Sequence, residues 1–136
     1  MTLKELSQLY YLKREIEDDQ KRLAELKAQI PGYAGFAQSG MPSGNIKESQ
    51  VERYAAEIAD TEAIIAAKIL QCTYERNRLE RYISGIPDSL TRQIFTLRFV
   101  ECLRWDQVSA KIGGNNSWKN LSNICYRYIK DQRNEI

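Results

Sequence analysis

GGNNSWKNLSNICYRYIK, residues 113–130, places two glycines, two asparagines and a serine directly before an amphipathic run. Glycine takes positive φ without steric cost, and Asn or Ser can accept from the open amides at a helix start. The stretch therefore reads as a turn followed by a helix capped by Asn116 or Ser117. Leu121, Ile124, Cys125 and Tyr128 follow the i, i+3, i+4, i+7 spacing of one buried stripe. Turning about 100° per residue then puts Lys119, Asn123, Tyr126 and Lys130 on the opposite side. Ser122 and Arg127 flank that face, and Arg133 lies near it one turn further on.

Upstream of this run, RWDQVSAKI, residues 104–112, reads as a helix that ends at Gly113, with Trp105, Val108 and Ile112 on one side. Asp88 and Ser89 can cap an earlier helix that holds Leu90, Ile94, Leu97 and Phe99 and breaks near residues 101–103. Three short helices with a turn before the last match a helix-turn-helix. Trp105 is expected in the core. Trp118, at the edge of the buried stripe, is expected to pack on the middle helix more than to meet a base.

The remaining chain has a different texture. Residues 2–29 read as one helix in which Leu9, Leu12, Ile16, Leu23, Leu26 and Ile30 follow steps of three and four, with Asp19 interrupting one core slot. Residues 31–45 hold four of the seven glycines and two of the three prolines, so they form a loop, onto which Tyr33 and Phe36 are expected to tuck. Residues 46–84 read as a second helix in which Val51, Ile58, Ile65, Cys72 and Leu79 recur every seven residues, widened by Tyr54, Ile69, Tyr82 and Ile83. Gly85 and Pro87 end it. Two long helices joined by one loop make an antiparallel, coiled-coil-like hairpin.

The expected fold is thus all-α, with a hairpin over residues 1–86 and a three-helix unit over residues 87–136. The second helix outlasts the first, which leaves part of its stripe to be covered. A homodimer or higher homo-oligomer is expected to use Leu9, Ile16, Leu23, Val51, Ile58, Ile65 and Leu79. Tyr10, Tyr11, Tyr54 and Tyr82 are assigned to helix packing.

Charge locates function within this plan. Twenty Lys and Arg against eighteen Asp and Glu give a net charge of +2, which excludes a globally basic coat. From Pro87 onward, however, there are eight basic residues against five acidic ones, while the first 86 residues carry twelve against thirteen. The excess falls in the unit with the groove-reading shape. Double-stranded DNA is the expected partner, because Asn suits an adenine edge, Lys suits guanine or phosphate, and helix N-termini favour phosphate.

No histidine is present, so a Ser-His-Asp set is impossible, and no catalytic residue or enzyme activity is expected. Three cysteines without a CxxC pair indicate neither a zinc site nor a disulfide framework. No metal or cofactor is expected, and the thiols are expected to be reduced and mostly buried. The N-terminus lacks the apolar core of a signal peptide, and no stretch approaches the roughly 20 apolar residues of a membrane helix. A cytoplasmic protein with no membrane partner is the expectation.

TRQIFTLRFVECLRWDQVSAKIG, residues 91–113, resembles the first two helices of the fourth region of bacterial sigma factors, and SWKNLSNICYRYI, residues 117–129, is similar to the recognition helix that follows there. The whole chain resembles small phage or prophage proteins with a long helical hairpin and a C-terminal helix-turn-helix of this kind. The resemblance implies a bacterial host cell and sequence-specific binding of promoter-like DNA in the major groove. It further implies transcriptional regulation, with RNA polymerase as a further partner. Carried over residue by residue, it places base reading on Trp118, Lys119, Asn120, Ser122 and Asn123. With Ser117, Tyr126, Arg127, Lys130 and Arg133 these make up the expected DNA surface. Two departures stand out. The turn GGNNS is about two residues longer than the family's, and Trp118, Asn120 and Ser122 replace arginines common on that helix. A small packaging-terminase subunit and a polymerase-binding adaptor that never touches DNA are the rival readings.

Overall fold

The computed structural model describes residues 1–30 and 48–134, so the loop with Tyr33 and Phe36 lies outside the described residues. The fold is all-α, with no strand among the described residues. Its helices are α1 (Leu3–Leu6), α2 (Gln8–Ala28), α3 (Glu48–Ser84), α4 (Ser89–Phe95), α5 (Trp105–Ile112) and α6 (Trp118–Asn134). A π-helical stretch, Thr96–Val100, continues α4.

The helix expected over residues 2–29 is broken at Ser7. Thr2 Oγ1 accepts the Glu5 N–H at 3.2 Å while Glu5 Oε2 accepts the Thr2 N–H at 2.9 Å. This reciprocal cap on TLKE gives α1 its own start, and α2 begins after one turn.

Packing divides the chain into two compact units, Arg14–Leu70 and a second made of Met1–Lys13 with Gln71–Ile136. The expected boundary at 86/87 is therefore corrected: the N-terminal residues and the end of α3 belong with the short helices. Leu6, Leu9, Leu79, Ile83 and Ile86 share one buried cluster with Ile94, Phe95, Val108, Leu121 and Cys125. Short helices bury too little surface to fold alone, and these two flanking pieces enlarge their core.

In the unit Arg14–Leu70, α2 and α3 run antiparallel. Lys68 Nζ lies 2.6 Å from Asp19 and 3.7 Å from Glu15, and Lys27 pairs with Glu62 at 3.7 Å, so rising numbers on one helix meet falling numbers on the other. Asp19, which interrupts the apolar repeat, is the partner that raises the Lys68 pKa. Ile30, Ile58 and Ile65 are buried, and Ile16, Leu23 and Val51 are half-buried.

Four of the seven residues expected at the oligomerisation seam are buried within one chain. Ile58 and Ile65 are covered within one chain, and Leu9 and Leu79 are fully buried in the core of the other unit. Of the seven-residue repeat, Ile58, Ile65 and Leu79 are buried within one chain, and Val51 and Cys72 are half-buried. Ile69, expected to widen the buried stripe, is exposed, as are Ile64, Leu70 and Tyr74. No helix among the described residues is long and apolar enough to cross a membrane.

In the unit with the short helices, Asp88 caps α4, its carboxylate accepting the Thr91 N–H at 3.0 Å and the Thr91 hydroxyl at 2.7 Å. Those two bonds hold the Asp88 pKa below its ordinary value. Phe95 is the centre of the core, with Phe99 and Tyr128 edge-on at 5.3 and 5.5 Å. After Val100 the chain turns at Cys102, whose φ is +59°. Two cations hold this turn: Lys13 Nζ donates to the Val100 carbonyl at 3.2 Å and Arg98 to the Leu103 carbonyl at 2.9 Å.

Candidate nucleic-acid interface

The turn from α5 to α6 uses both glycines for backbone reasons. Gly113 has φ +72° and ψ −161°, a region open essentially to glycine alone, and Gly114 has φ +66°. A Cβ on Gly113 would meet no atom within 4 Å, so the requirement is torsional and not one of space. Asn116 ties the turn, its side-chain amide donating to the Gly113 carbonyl at 3.2 Å while its own carbonyl accepts from Ser109 Oγ at 2.7 Å. Ser117 is then the cap, accepting the Asn120 N–H at 3.2 Å. The two candidate caps thus have separate tasks.

The helix that follows buries Leu121, Ser122, Cys125 and Ile129, while Ile124 and Tyr128 are only half-buried. This stripe is rotated from the expected one, and two corrections follow. Ser122, expected to read bases, is only 7% exposed and donates its hydroxyl to the Lys119 carbonyl at 2.9 Å. It faces the core because a serine that bonds to its own helix is tolerated where a charged side chain is not. The outer face is centred on Asn120, Asn123 and Arg127, with Lys119 and Lys130 on one side and Asp131 on the other. Tyr126 moves to the flank, where its ring lies edge-on to Trp105 at 5.9 Å.

Of the ten expected residues, Ser117, Trp118, Lys119, Asn120, Asn123, Tyr126, Arg127, Lys130 and Arg133 are exposed. Trp118 departs from the packing expected of it. It is 49% exposed, with the Lys119 ammonium 5.8 Å from its ring centroid, so an aromatic ring and a cation stand together at the start of α6. Trp105, expected in the core, sits at its margin under the Arg98 guanidinium, 4.9 Å away.

Sequence reasoning missed the entrance to α5. Gln107 Oε1 accepts the Arg104 N–H at 2.9 Å, and the Arg104 guanidinium grips Asp106 at 3.1 and 3.3 Å. Only half of a reciprocal cap is made here, because a guanidinium offers no acceptor to a backbone N–H, and an arginine three positions before a glutamine is therefore not a capping signature that sequence reading looks for. Tyr10 and Tyr11, assigned to packing, are also exposed, because the buried face of α2 is carried by Leu9 and Leu12.

All three cysteines are free. Burial pushes the Cys125 thiol up to about 12 and raises Cys72 and Cys102 as well, so none is activated as a nucleophile. No group of side chains among the described residues could hold a metal ion. No family model, curated protein or solved structure matches the chain.

Proposed function

We propose that the chain is a phage-type, sequence-specific binder of double-stranded DNA that regulates transcription and docks α6 in the major groove. The observation that carries this reading is the outer face of α6. Lys119, Asn120, Asn123, Arg127 and Lys130 are all exposed there and directly follow a turn held by two positive-φ glycines. Asn120 and Asn123 supply paired donors and acceptors for an adenine edge, and Lys119 supplies a donor for guanine. Arg127, Lys130 and Arg133 lie progressively further from the start of α6 and meet phosphates, which position the protein without reading sequence.

Selection of bound duplexes from a random pool tests the reading. Recovery of a common motif, bound with an affinity that falls as salt rises, is the expected result. A pool that stays random, with no salt-sensitive binding to any duplex, would favour the adaptor that recognises protein instead.

A further inference from the structure

Beside Tyr126, in the unit that carries α6, lies a cavity of about 470 Å³, within the range of small-molecule sites. Among the described residues its lining includes Tyr10 and Tyr11 of α2, Tyr126 of α6, Arg98 and Arg104, with no Asp or Glu. This combination is not a product of core packing. Tyr11 is 60% exposed and Tyr10 40%, their rings edge-on to each other at 5.2 Å on the side of α2 turned away from its buried leucines.

The cations are held ready at different strengths. Arg98 is fixed by its bond to the Leu103 carbonyl and by the Trp105 ring beneath it, and Trp105 in turn abuts Tyr126. A guanidinium has five N–H donors, so this anchoring leaves capacity for a ligand. Arg104 is engaged with Asp106 in a solvent-exposed pair, which contributes little and can be exchanged for a more highly charged anion. Guanidiniums match phosphate oxygens two at a time, and tyrosine rings accept any planar base.

We propose that this cavity binds a nucleoside phosphate, with the base against the tyrosines and the phosphate on Arg98 and Arg104. The ligand is either a free nucleotide or an unpaired nucleotide of a strand, since both present the same chemistry. An acidic peptide would satisfy the arginines but leave the aromatic surface without a planar partner. The site is separate from the outer face of α6 and does not depend on the duplex-binding reading.

Calorimetric titration of the full chain with ADP, a 5′-phosphorylated single-stranded 12-mer, pyrophosphate and an oligoglutamate tests this. Saturable binding of ADP identifies the free nucleotide as the source, and binding of the single strand alone identifies the strand; either supports the site. Tyr11→Leu and Arg104→Gln should each weaken that binding by about tenfold, the loss of one base stack or one charge-assisted contact, with helicity and duplex binding unchanged. Asn123→Ala should leave it intact. Pyrophosphate or oligoglutamate binding as tightly as ADP and the single strand, no saturation by either nucleotide probe at millimolar concentration, or unchanged binding in both variants would overturn the proposal.

Discussion

Ser122 Oγ donates to the Lys119 carbonyl at 2.9 Å, so two neighbours on α6 that both suit a DNA surface point in different directions. The serine is bonded into the helix and buried, whereas the lysine is exposed beside Trp118. Ser122→Ala should therefore leave duplex specificity unchanged. Asn123→Ala, on the outer face, should weaken the preferred duplex by about 1–3 kcal/mol and relax preference at one base pair. Competition binding on single-base variants of the selected site measures both. A specificity change in Ser122→Ala with none in Asn123→Ala would mean that a different face of α6 enters the groove.

The turn before α6 should tolerate substitution according to torsion angle and not volume. Gly113→Ala places a side chain in open space but forces it into a region reserved for glycine, with an expected destabilisation of about 1–3 kcal/mol. Ser117→Ala removes the cap on the Asn120 amide and should cost about 1 kcal/mol. Urea unfolding of each variant checks these values. A neutral Gly113→Ala would show that the turn relaxes to another conformation.

Periodicity revealed the longer helices and both glycine breaks, though not the break at Ser7, because buried stripes and torsional requirements leave local marks in a chain. It does not say what covers those stripes. The repeat through Ile58, Ile65 and Leu79 carries no label that distinguishes a second copy from the same chain folded back, and all three are buried within one chain. The rotation of α6 was lost for a related reason. Ile124 and Tyr128 are apolar and Ser122 is polar, yet the serine is buried because its hydroxyl finds an acceptor within its own helix. The cavity beside Tyr126 joins residues from both ends of the sequence, and no local pattern announces such a meeting.

Because Ile58 is buried inside the unit Arg14–Leu70, Ile58→Asp should unfold that unit instead of separating copies of the chain. An uncompensated carboxylate there should cost several kcal/mol. Circular dichroism should show a substantial loss of helicity. Full helicity with a halved mass by light scattering would restore Ile58 to an interface between copies.

Tyr82 supplies a test of opposite sign. Its hydroxyl is buried and meets no hydrogen-bond partner among the described residues, while its ring packs at 6.4 Å from Phe95. Tyr82→Phe keeps the ring and removes the unsatisfied group. Since such a group carries a desolvation penalty of about 1–3 kcal/mol, the variant should be at least as stable as the parent and up to that much more. A destabilised variant in thermal unfolding would reveal an unseen partner for the hydroxyl.

Cys125 links the core under α6 to pH. Its thiol ordinarily titrates near 9, and burial pushes it up to about 12, which means that the folded chain keeps the proton longer than the unfolded chain does. Below pH 9 both states hold it, and this contribution to stability is fully present. As pH rises from about 9 to about 12 the unfolded state releases the proton first, so stability falls by up to about 1.4 kcal/mol per pH unit from this thiol. Cys72, Cys102 and Tyr82 are raised by burial too and steepen the loss in the same direction. Removing the thiol with Cys125→Ala should flatten the dependence while leaving the other groups in place. Urea unfolding at pH 8, 9 and 10 under reducing conditions should therefore show the gap between parent and variant changing with pH above 9. Parallel curves would mean that the Cys125 thiol ionises as readily in the folded core as in the open chain.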